Sequence, residues 1–226
     1  MSSSATENRN STEAGFTLVE IAIVLVIIGL LLGGILKGQE MITQAKIKNL
    51  INDFNGVTVA VTSYRDRYRT LPGDDPSASA RWTVQAPASG NGNGTVEGLY
   101  NDSTLTTESH LFWQHLRIAG FVAGLTTGVS AGAPPPNAAG GIIGVESATV
   151  NTNGMGFTSL IVCFSNLPEK VASAIDGQLD DGVPNTGQVR AQLQVGSNPA
   201  TATNAAGAAS AYVETGVNQY LMCKNY

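Results

Sequence analysis

The feature that most constrains this chain is an uninterrupted apolar run from Phe16 to Leu36. The run is 21 residues long and contains one ionisable side chain, that of Glu20. At about 1.5 Å of rise per residue, a helix of this length is roughly 30 Å long, which matches the hydrocarbon core of a bilayer. The run therefore predicts a membrane-spanning helix.

Glu20 is the one residue that such a membrane helix has to accommodate. A carboxylate at the centre of a membrane helix costs about 2.5–3.5 kcal/mol on insertion scales, and it costs less near a helix end. One explanation is local, because the positive N-terminal end of a helix stabilises a nearby carboxylate. The other explanation is that Glu20 meets a positive charge in an assembly of several chains. Both explanations can hold together.

The residues before the run distinguish it from an ordinary signal peptide. A secretory signal peptide has a shorter apolar region followed by a cleavage site of small residues, whereas the small pair Ala14-Gly15 precedes this run. The stretch "GFTLVE", Gly15 to Glu20, resembles the processing site of type IV prepilins and of type II secretion pseudopilins. The resemblance implies cleavage after Gly15, N-methylation of the new N-terminal Phe16 and a role for Glu20 in assembly.

The resemblance also implies partners and a location. A prepilin peptidase/methyltransferase would process the chain, and other pilin subunits, an assembly platform protein and an ATPase would build a filament from the inner membrane. Residues 1–15 would be a leader that is removed, residues 16–38 a transmembrane or filament-core helix, and residues 39–226 an amphipathic helix with a globular head. The head would lie in the periplasm first and then in a periplasmic or extracellular filament.

Assembly would give the carboxylate of Glu20 a partner. In a filament it would pair with the Phe16 amine of a neighbouring copy, since methylation keeps the positive charge. The charge distribution gives no independent support for the orientation in the membrane, because the first 15 residues carry a net charge of −1 and three lysines follow the run. The orientation therefore rests on the resemblance and on the pair Cys163 and Cys223, which would form a disulfide in an exported head.

Apolar side chains recur at helical spacing after the run. Between Ile47 and Tyr68 most of them lie three or four residues apart, which indicates an amphipathic helix that ends at about Tyr68 and packs on a sheet. Glycine in a helix interior is unfavourable by up to about 1 kcal/mol relative to alanine, so glycines in the apolar part predict a point of bending or melting. Close packing between helices is the alternative. The glycines concerned are Gly29, Gly33, Gly34 and Gly38.

The chain has two cysteines, Cys163 and Cys223, and neither stands in a metal-binding or redox spacing. In an exported protein they would form one disulfide, and closing a loop of about 60 residues would stabilise the fold by roughly 4 kcal/mol. Two buried free thiols in a cytosolic protein are the alternative. A disulfide near the C-terminus is a recurrent feature of pilins, so the resemblance implies the disulfide.

The remainder of the chain predicts an α+β head with a small antiparallel sheet of three to five strands and long irregular loops. With the long N-terminal helix, this is the pilin fold that the resemblance implies. Helices are predicted at residues 107–120 and 168–180. Irregular loops are predicted at residues 120–144 and 197–211. Strands are predicted within residues 156–164, 188–195, 212–215 and 219–223.

Calcium is the one ion whose ligands the sequence offers. It takes about six to eight oxygen ligands, and the acidic segments here lack the spacing of an EF-hand. A turn after a helix end explains these acidic residues more simply, so no metal and no other cofactor is expected. The carboxylates that calcium would use are Asp74, Asp75, Asp176, Asp180 and Asp181.

Charge and motifs limit the possible functions. The net charge of −5 at pH 7 argues against a nucleic-acid partner. The chain contains no G-x-S-x-G or H-E-x-x-H motif and no His-paired cysteine, so it is not expected to be an enzyme. The favoured function is a structural subunit of a type IV pilus-like filament. A type II secretion pseudopilin is the alternative. A membrane-anchored binding protein or a tip adhesin is less favoured than either.

Overall fold

The computed structural model describes residues 17–148, 154–202 and 211–226. The chain divides into two compact units, Met1–Thr43 and Gln44–Tyr226. A long helix, a small antiparallel sheet and further short helices confirm the predicted α+β class. In chain order the elements are α1 (Leu18–Tyr68), α2 (Ala78–Arg81), α3 (Glu108–Ile118), β1 (Ile143–Ser147), β2 (Leu160–Pro168), α4 (Glu169–Leu179), β3 (Val189–Leu193) and β4 (Gln219–Asn225).

Helix α1 is 51 residues long and ends at Tyr68, as the apolar periodicity predicts. It ends there because Arg69 adopts a left-handed conformation with φ of 61° and Pro72 follows. In the unit that begins at Gln44, one face of the helix packs on the sheet, and the ring centroids of Phe54 and Phe164 lie 3.7 Å apart. The buried residues of this face are Ile47, Leu50, Phe54, Val57, Ala60, Val61 and Tyr64.

The four strands form one antiparallel sheet in the order β1-β2-β4-β3, which agrees with the predicted three to five strands. Strand β2 pairs with β1 on one side and with β4 on the other, and Cys163 lies directly opposite Cys223. A bulge interrupts the pairing between Phe164 and Leu167, where Asn166 has a positive φ of 59°. The register therefore places the two cysteines side by side on neighbouring strands.

Strand β2 reads as a continuous apolar run because both faces of the sheet are buried. Val162 and Phe164 belong to the main core, which the sheet forms with α1, α3 and α4. Ile161 and Cys163 belong to a smaller cluster on the other face, which loop residues such as Tyr100 complete. The head thus has a helix-covered face and a loop-covered face.

Helices α3 and α4 confirm the two helices predicted in the head. Helix α3 places Phe112, Trp113 and Leu116 in the main core. Helix α4 begins directly after Pro168 and ends before Asp180, as the proline and the acidic turn indicate. Strands β3 and β4 lie within or close to their predicted ranges, whereas β2 begins four residues later than the predicted range and extends further, to Pro168.

The predicted strand at residues 212–215 is wrong, because these residues belong to no strand. Their backbone groups bind side chains instead of a neighbouring strand. The N–H of Val213 donates to the hydroxyl of Tyr220 at 2.8 Å, and the N–H of Thr215 donates to the carboxylate of Glu169 at 2.8 Å. A pattern of only four residues was too short to show that these backbone groups bind side chains and not a neighbouring strand.

Strand β1 has no counterpart among the predicted strands. It directly follows a Gly-rich loop and contains Gly144, and glycine weakens the sequence signal of a strand. The glycine is needed because a Cβ at position 144 would lie 2.0 Å from the carbonyl oxygen of Tyr100. A close approach of two backbone segments therefore explains why this strand escaped prediction.

Candidate functional site

The first turn of α1 is closed by reciprocal hydrogen bonds between Thr17 and Glu20. The backbone N–H and the hydroxyl of Thr17 both donate to Glu20 Oε2, each at 2.8 Å. In return, the backbone N–H of Glu20 donates to Thr17 Oγ1 at 3.3 Å. Threonine and glutamate in this spacing form a capping box, which satisfies N–H groups that a helix start leaves without partners. The T-x-x-E pattern at the start of the apolar run is a sequence signal that could have predicted this role of Thr17.

The cap leaves part of the Glu20 carboxylate unused. Within residues 17–148, 154–202 and 211–226, Oε1 of Glu20 accepts no hydrogen bond. The salt bridges in these residues join Lys37 to Glu40 and Arg81 to Asp75, so neither involves Glu20. The negative charge therefore has the positive end of its own helix beside it and no counter-ion in the described subunit. One oxygen remains able to accept a donor from another molecule.

The apolar side chains from Leu18 to Leu36 are exposed around the whole helix. Leu18 is 91% exposed, and Leu30 and Leu36 are 73% and 66% exposed. Of the helices in the described part of the chain, α1 is the one long and apolar enough to cross a membrane, and its apolar window is not buried in the subunit. Because apolar surface in water costs about 25 cal/mol per Å², this segment requires lipid or other helices around it.

Comparison with protein families agrees with this geometry. Residues 10–36 match the family described as the prokaryotic N-terminal methylation motif. The chain carries the type IV pilin and pseudopilin signature. This signature, together with the apolar helix, indicates membrane anchoring, processing by a prepilin peptidase and assembly with other pilin subunits. It is common to pilins and pseudopilins and does not separate the two. A search of curated proteins finds no match.

The processing residues of the pilin signature lie at its N-terminal end. Gly15 and Phe16 lie outside the described residues, so cleavage after Gly15 and N-methylation of Phe16 stay predictions. The structure places Glu20 in the first turn of α1, two residues after the helix begins at Leu18. Its role in filament assembly also stays a prediction.

The glycines predicted to make the pilin-type helix flexible lie within regular helix. Helix α1 continues through all four of them. A Cβ added at any of the four would meet no atom within 4 Å among the described residues, so the subunit itself does not require their small size. Bending or melting there, and close packing against other helices, both stay predictions. The four are Gly29, Gly33, Gly34 and Gly38.

The disulfide between Cys163 and Cys223 confirms the expected bond in the head. The two residues are 60 positions apart in sequence, and both are fully buried. They lie opposite each other on strands β2 and β4, so the bond links neighbouring strands in the middle of the sheet. The chain between them includes α4 and β3. The disulfide therefore closes a loop in the C-terminal part of the head.

The acidic pair at the end of α1 already has hydrogen-bond donors on its oxygens. Asp74 accepts three backbone N–H groups of the loop at residues 92–94. Asp75 accepts the hydroxyl of Tyr64 at 2.7 Å and the backbone N–H of Ser77 at 2.9 Å, and it pairs with Arg81. Calcium binding there stays a prediction, and a cation would have to displace these donors.

The second acidic group surrounds the end of α4. One carboxylate oxygen from each of Asp176, Asp180 and Asp181 lies within 4.8 Å of the others. Burial raises the pKa of Asp176, and the charges of Asp181 and Asp180 add to the effect. Asp176 accepts the hydroxyl of Tyr212 and Asp181 that of Thr186, both at 2.6 Å. These contacts build the polar turn expected after the helix, and calcium binding here stays a prediction.

Tyr64, Asp75 and Arg81 form a buried network that helical periodicity did not reveal. Burial alone would raise the pKa of Asp75, but hydrogen bonds from Arg81 and Tyr64 outweigh it and hold the pKa below its usual value. The Arg81 guanidinium also lies 4.3 Å from the ring centroid of Tyr68. The network therefore fastens the end of α1 to the short helix α2.

His115 is a second buried polar residue with a structural role. The N–H of Gly73 donates to its Nδ1 at 3.0 Å, so Nδ1 carries no proton and Nε2 donates to the carbonyl oxygen of Ala88 at 2.9 Å. Burial lowers the pKa of His115. The neutral ring therefore joins α3 to two loops.

Proposed function

We propose that this chain is a structural subunit of a type IV pilus-like filament. It is cleaved after Gly15, methylated on Phe16, held in the inner membrane with a periplasmic head, and then packed into a filament through α1. The observation that carries this proposal is the capped Glu20, with one unused carboxylate oxygen, at the start of a helix whose apolar side chains are exposed. The pilin-type signature is consistent with a protein that has no enzymatic activity.

The first turn of α1 suits the recognition of another subunit. The positively charged Phe16 amine of a neighbouring copy would donate to Glu20 Oε1, while Oε2 stays bound to Thr17. A buried ion pair is favourable only when its remaining hydrogen-bonding capacity is also satisfied, and the Thr17 contacts meet that need. A neighbour in the wrong axial position would leave the carboxylate unpaired among apolar side chains. The pair would therefore fix the register between subunits.

Lipid and filament offer the apolar surface of α1 similar surroundings. The exposed side chains from Leu18 to Leu36 would contact acyl chains in the membrane and neighbouring helices in the filament. The hydrophobic effect therefore favours neither state strongly, and the direction of transfer comes from packing, from the Glu20 pair and from the assembly ATPase and platform protein that the family resemblance implies.

A pseudopilin of a type II secretion system is the second candidate, because the N-terminal signature is common to both. The disulfide between Cys163 and Cys223 supports the pilus subunit, since a disulfide near the C-terminus is the pilin feature that the chain resembles. Filaments sheared from the cell surface would separate the two. A pilus subunit is expected in the sheared fraction, and a pseudopilin is expected to stay in the cell envelope.

Mass spectrometry of the protein isolated from membranes tests the family-level proposal. The expected mass is that of residues 16–226 with one added methyl group on the N-terminal amine. An intact Met1, or cleavage after Leu36, would contradict the proposal. Expression in cells without prepilin peptidase provides the control, and there the leader should remain attached.

A further inference from the structure

The Gly-rich loop at residues 90–98 wraps around the carboxylate of Asp74. The N–H groups of Gly92 and Asn93 donate to Asp74 Oδ1 at 2.6 Å and 3.0 Å, and that of Gly94 donates to Oδ2 at 2.7 Å. Asp74 is 2% exposed, whereas residues 91–94 are all exposed to solvent. The loop therefore forms a cradle of N–H groups whose anion is a side chain of the same protein.

This loop contains two consecutive Asn-Gly pairs, Asn91-Gly92 and Asn93-Gly94. Both glycines have positive φ, 77° and 87°, which a residue with a Cβ adopts poorly. The same lack of a side chain makes the nitrogen after an asparagine accessible for attack on that asparagine. The shape of the loop thus requires glycine at positions 92 and 94, and because each glycine follows an asparagine, both pairs are the dipeptide most susceptible to spontaneous deamidation.

Deamidation at these pairs would follow an intramolecular route. The backbone nitrogen of the glycine attacks Cγ of the preceding asparagine, a new N–C bond forms, and the side-chain nitrogen leaves as ammonia with the proton that the backbone nitrogen loses. Water then opens the cyclic imide at either carbonyl. Asparagine and water thereby become aspartate or isoaspartate and ammonia, with no other reactant.

The hydrogen bonds to Asp74 oppose the first step of this route. The attacking nitrogen has to lose its proton, and at Gly92 and Gly94 this would place a negative nitrogen 2.6–2.7 Å from a carboxylate oxygen. Two like charges at that distance repel strongly where water is largely excluded on the Asp74 side. The same bonds direct each N–H toward Asp74 and fix the peptide planes that would have to rotate.

We propose that Asn91 and Asn93 are sites of spontaneous deamidation, and that Asp74 keeps them unreactive by binding the N–H groups of Gly92 and Gly94. Burial does not supply this protection, since both asparagines are exposed. The carboxylate thus allows an exposed loop to keep two Asn-Gly pairs chemically intact.

The two sites differ in how firmly their side chains are held. Asn93 Oδ1 accepts both the N–H and the hydroxyl of Thr95, at 2.9 Å and 2.6 Å, and its amide donates to Glu97 at 2.9 Å. Asn91 Oδ1 accepts the N–H of Asn93 at 2.9 Å. Asn91 has fewer restraints and is therefore the site that reacts first when Asp74 is lost.

Peptide mapping of the full-length protein in detergent, incubated at mildly alkaline pH, tests the proposal. Asp74→Asn should raise the deamidation rate at Asn91 by about tenfold or more, equivalent to about 1.4 kcal/mol of barrier, with a smaller rise at Asn93. Asp180→Asn is the matched control, because Asp180 also accepts two backbone N–H groups, from Gln188 and Val189, and no Asn-Gly pair is involved. This control should leave both rates unchanged.

A second measurement covers the case in which Asp74→Asn fails to fold. The wild-type protein is incubated at the same pH with and without denaturant, and Asn91 and Asn93 should deamidate about tenfold more slowly in the folded protein. Equal rates in folded and denatured protein would overturn the proposal. So would a folded Asp74→Asn protein that deamidates at the wild-type rate.

Discussion

Thr17 contacts one carboxylate oxygen of Glu20 twice, through its backbone N–H and its hydroxyl, each at 2.8 Å. The contact gives Glu20 two properties that substitutions can separate. Its oxygen caps the helix, and a glutamine can replace it in that role. Its charge is a property that glutamine lacks.

Glu20→Gln and Glu20→Ala should therefore separate capping from charge pairing. If the charge recognises the neighbouring amine, neither variant enters filaments, although both insert into the membrane at least as well as wild type because a buried charge is removed. Quantifying each variant in membrane and filament fractions gives the result. Normal incorporation of Glu20→Gln would show that the cap, and not the charge, is what assembly needs.

Replacement of Gly15 by leucine should leave the leader attached. The expected reason is that a peptidase site fitted to glycine has no room for a larger side chain. The intact mass of the protein in membranes measures the outcome, with Ala14→Leu as the neighbouring control that should still be processed. Efficient cleavage of Gly15→Leu at the same bond would contradict the assigned processing site.

Loss of the disulfide should lower the free energy of unfolding of the head by about 4 kcal/mol, because the bond closes a loop of roughly 60 residues. Chemical denaturation of wild-type protein with and without reductant measures the change. The double variant Cys163→Ala with Cys223→Ala should have the unfolding free energy of the reduced protein, and reductant should not change that value. A reductant effect of similar size in that double variant would show that the change arises elsewhere.

Asp75→Asn should destabilise the head by about 2 kcal/mol, since a charge-assisted hydrogen bond contributes about 1.5–3 kcal/mol. Tyr64→Phe removes one donor to the charged carboxylate and should cost about 1.5 kcal/mol, the lower end of that range, because Arg81 and Ser77 remain bound to Asp75. Glu40→Gln disrupts the exposed pair with Lys37 and should have no measurable effect on unfolding. Equal stabilities of Asp75→Asn and wild type would contradict the assigned role of the network.

The same network predicts a loss of stability in acid. The pKa of Asp75 is lower in the folded protein than in the unfolded chain, so the unfolded state binds more protons as the pH falls below about 4. The contribution of Asp75 is therefore complete at neutral pH and lost through that range. The Asp75→Asn variant should show a shallower decrease in unfolding free energy below pH 4.

His115 should act in a different pH range. Burial lowers its pKa in the folded protein, so the unfolded chain binds more protons once the pH falls below about 6.5. The unfolding free energy of wild type should therefore decrease between pH 7 and 5 (about the range of the unperturbed imidazole). His115→Gln should have lower stability but a smaller slope. An unchanged slope would mean that other groups carry the dependence.

Much of the fold was predictable where the signal is local and repeated. The apolar periodicity gave the end of α1 at Tyr68, and Pro168 with the following acidic turn marked α4. Strand β1 was missed and a strand at residues 212–215 was predicted wrongly, because the hydrogen-bond partners of both segments are distant in sequence. Gly144 and Glu169 show why, since each acts through a contact that local pattern does not encode.

In the candidate site, too, local features were predictable from the sequence and contacts between distant residues were not. The motif from Gly15 to Glu20 was evident in the sequence, whereas the capping role of Thr17 was not predicted, although the T-x-x-E pattern offers a local signal for it. The cradle around Asp74 was not evident. It depends on the approach of residues 92–94 to an aspartate about 20 positions earlier in the chain.

The sequence by itself determined the N-terminal segment, because hydrophobicity and helix capping act between residues that are adjacent or one turn apart. An apolar helix with a capped glutamate follows from those residues alone. Tertiary structure decided which cysteine strands lie together, which carboxylates are buried and which N–H groups they hold. Those outcomes depend on the free energy of bringing distant segments into contact. The whole sheet and its loops determine that free energy, and no short segment does so alone.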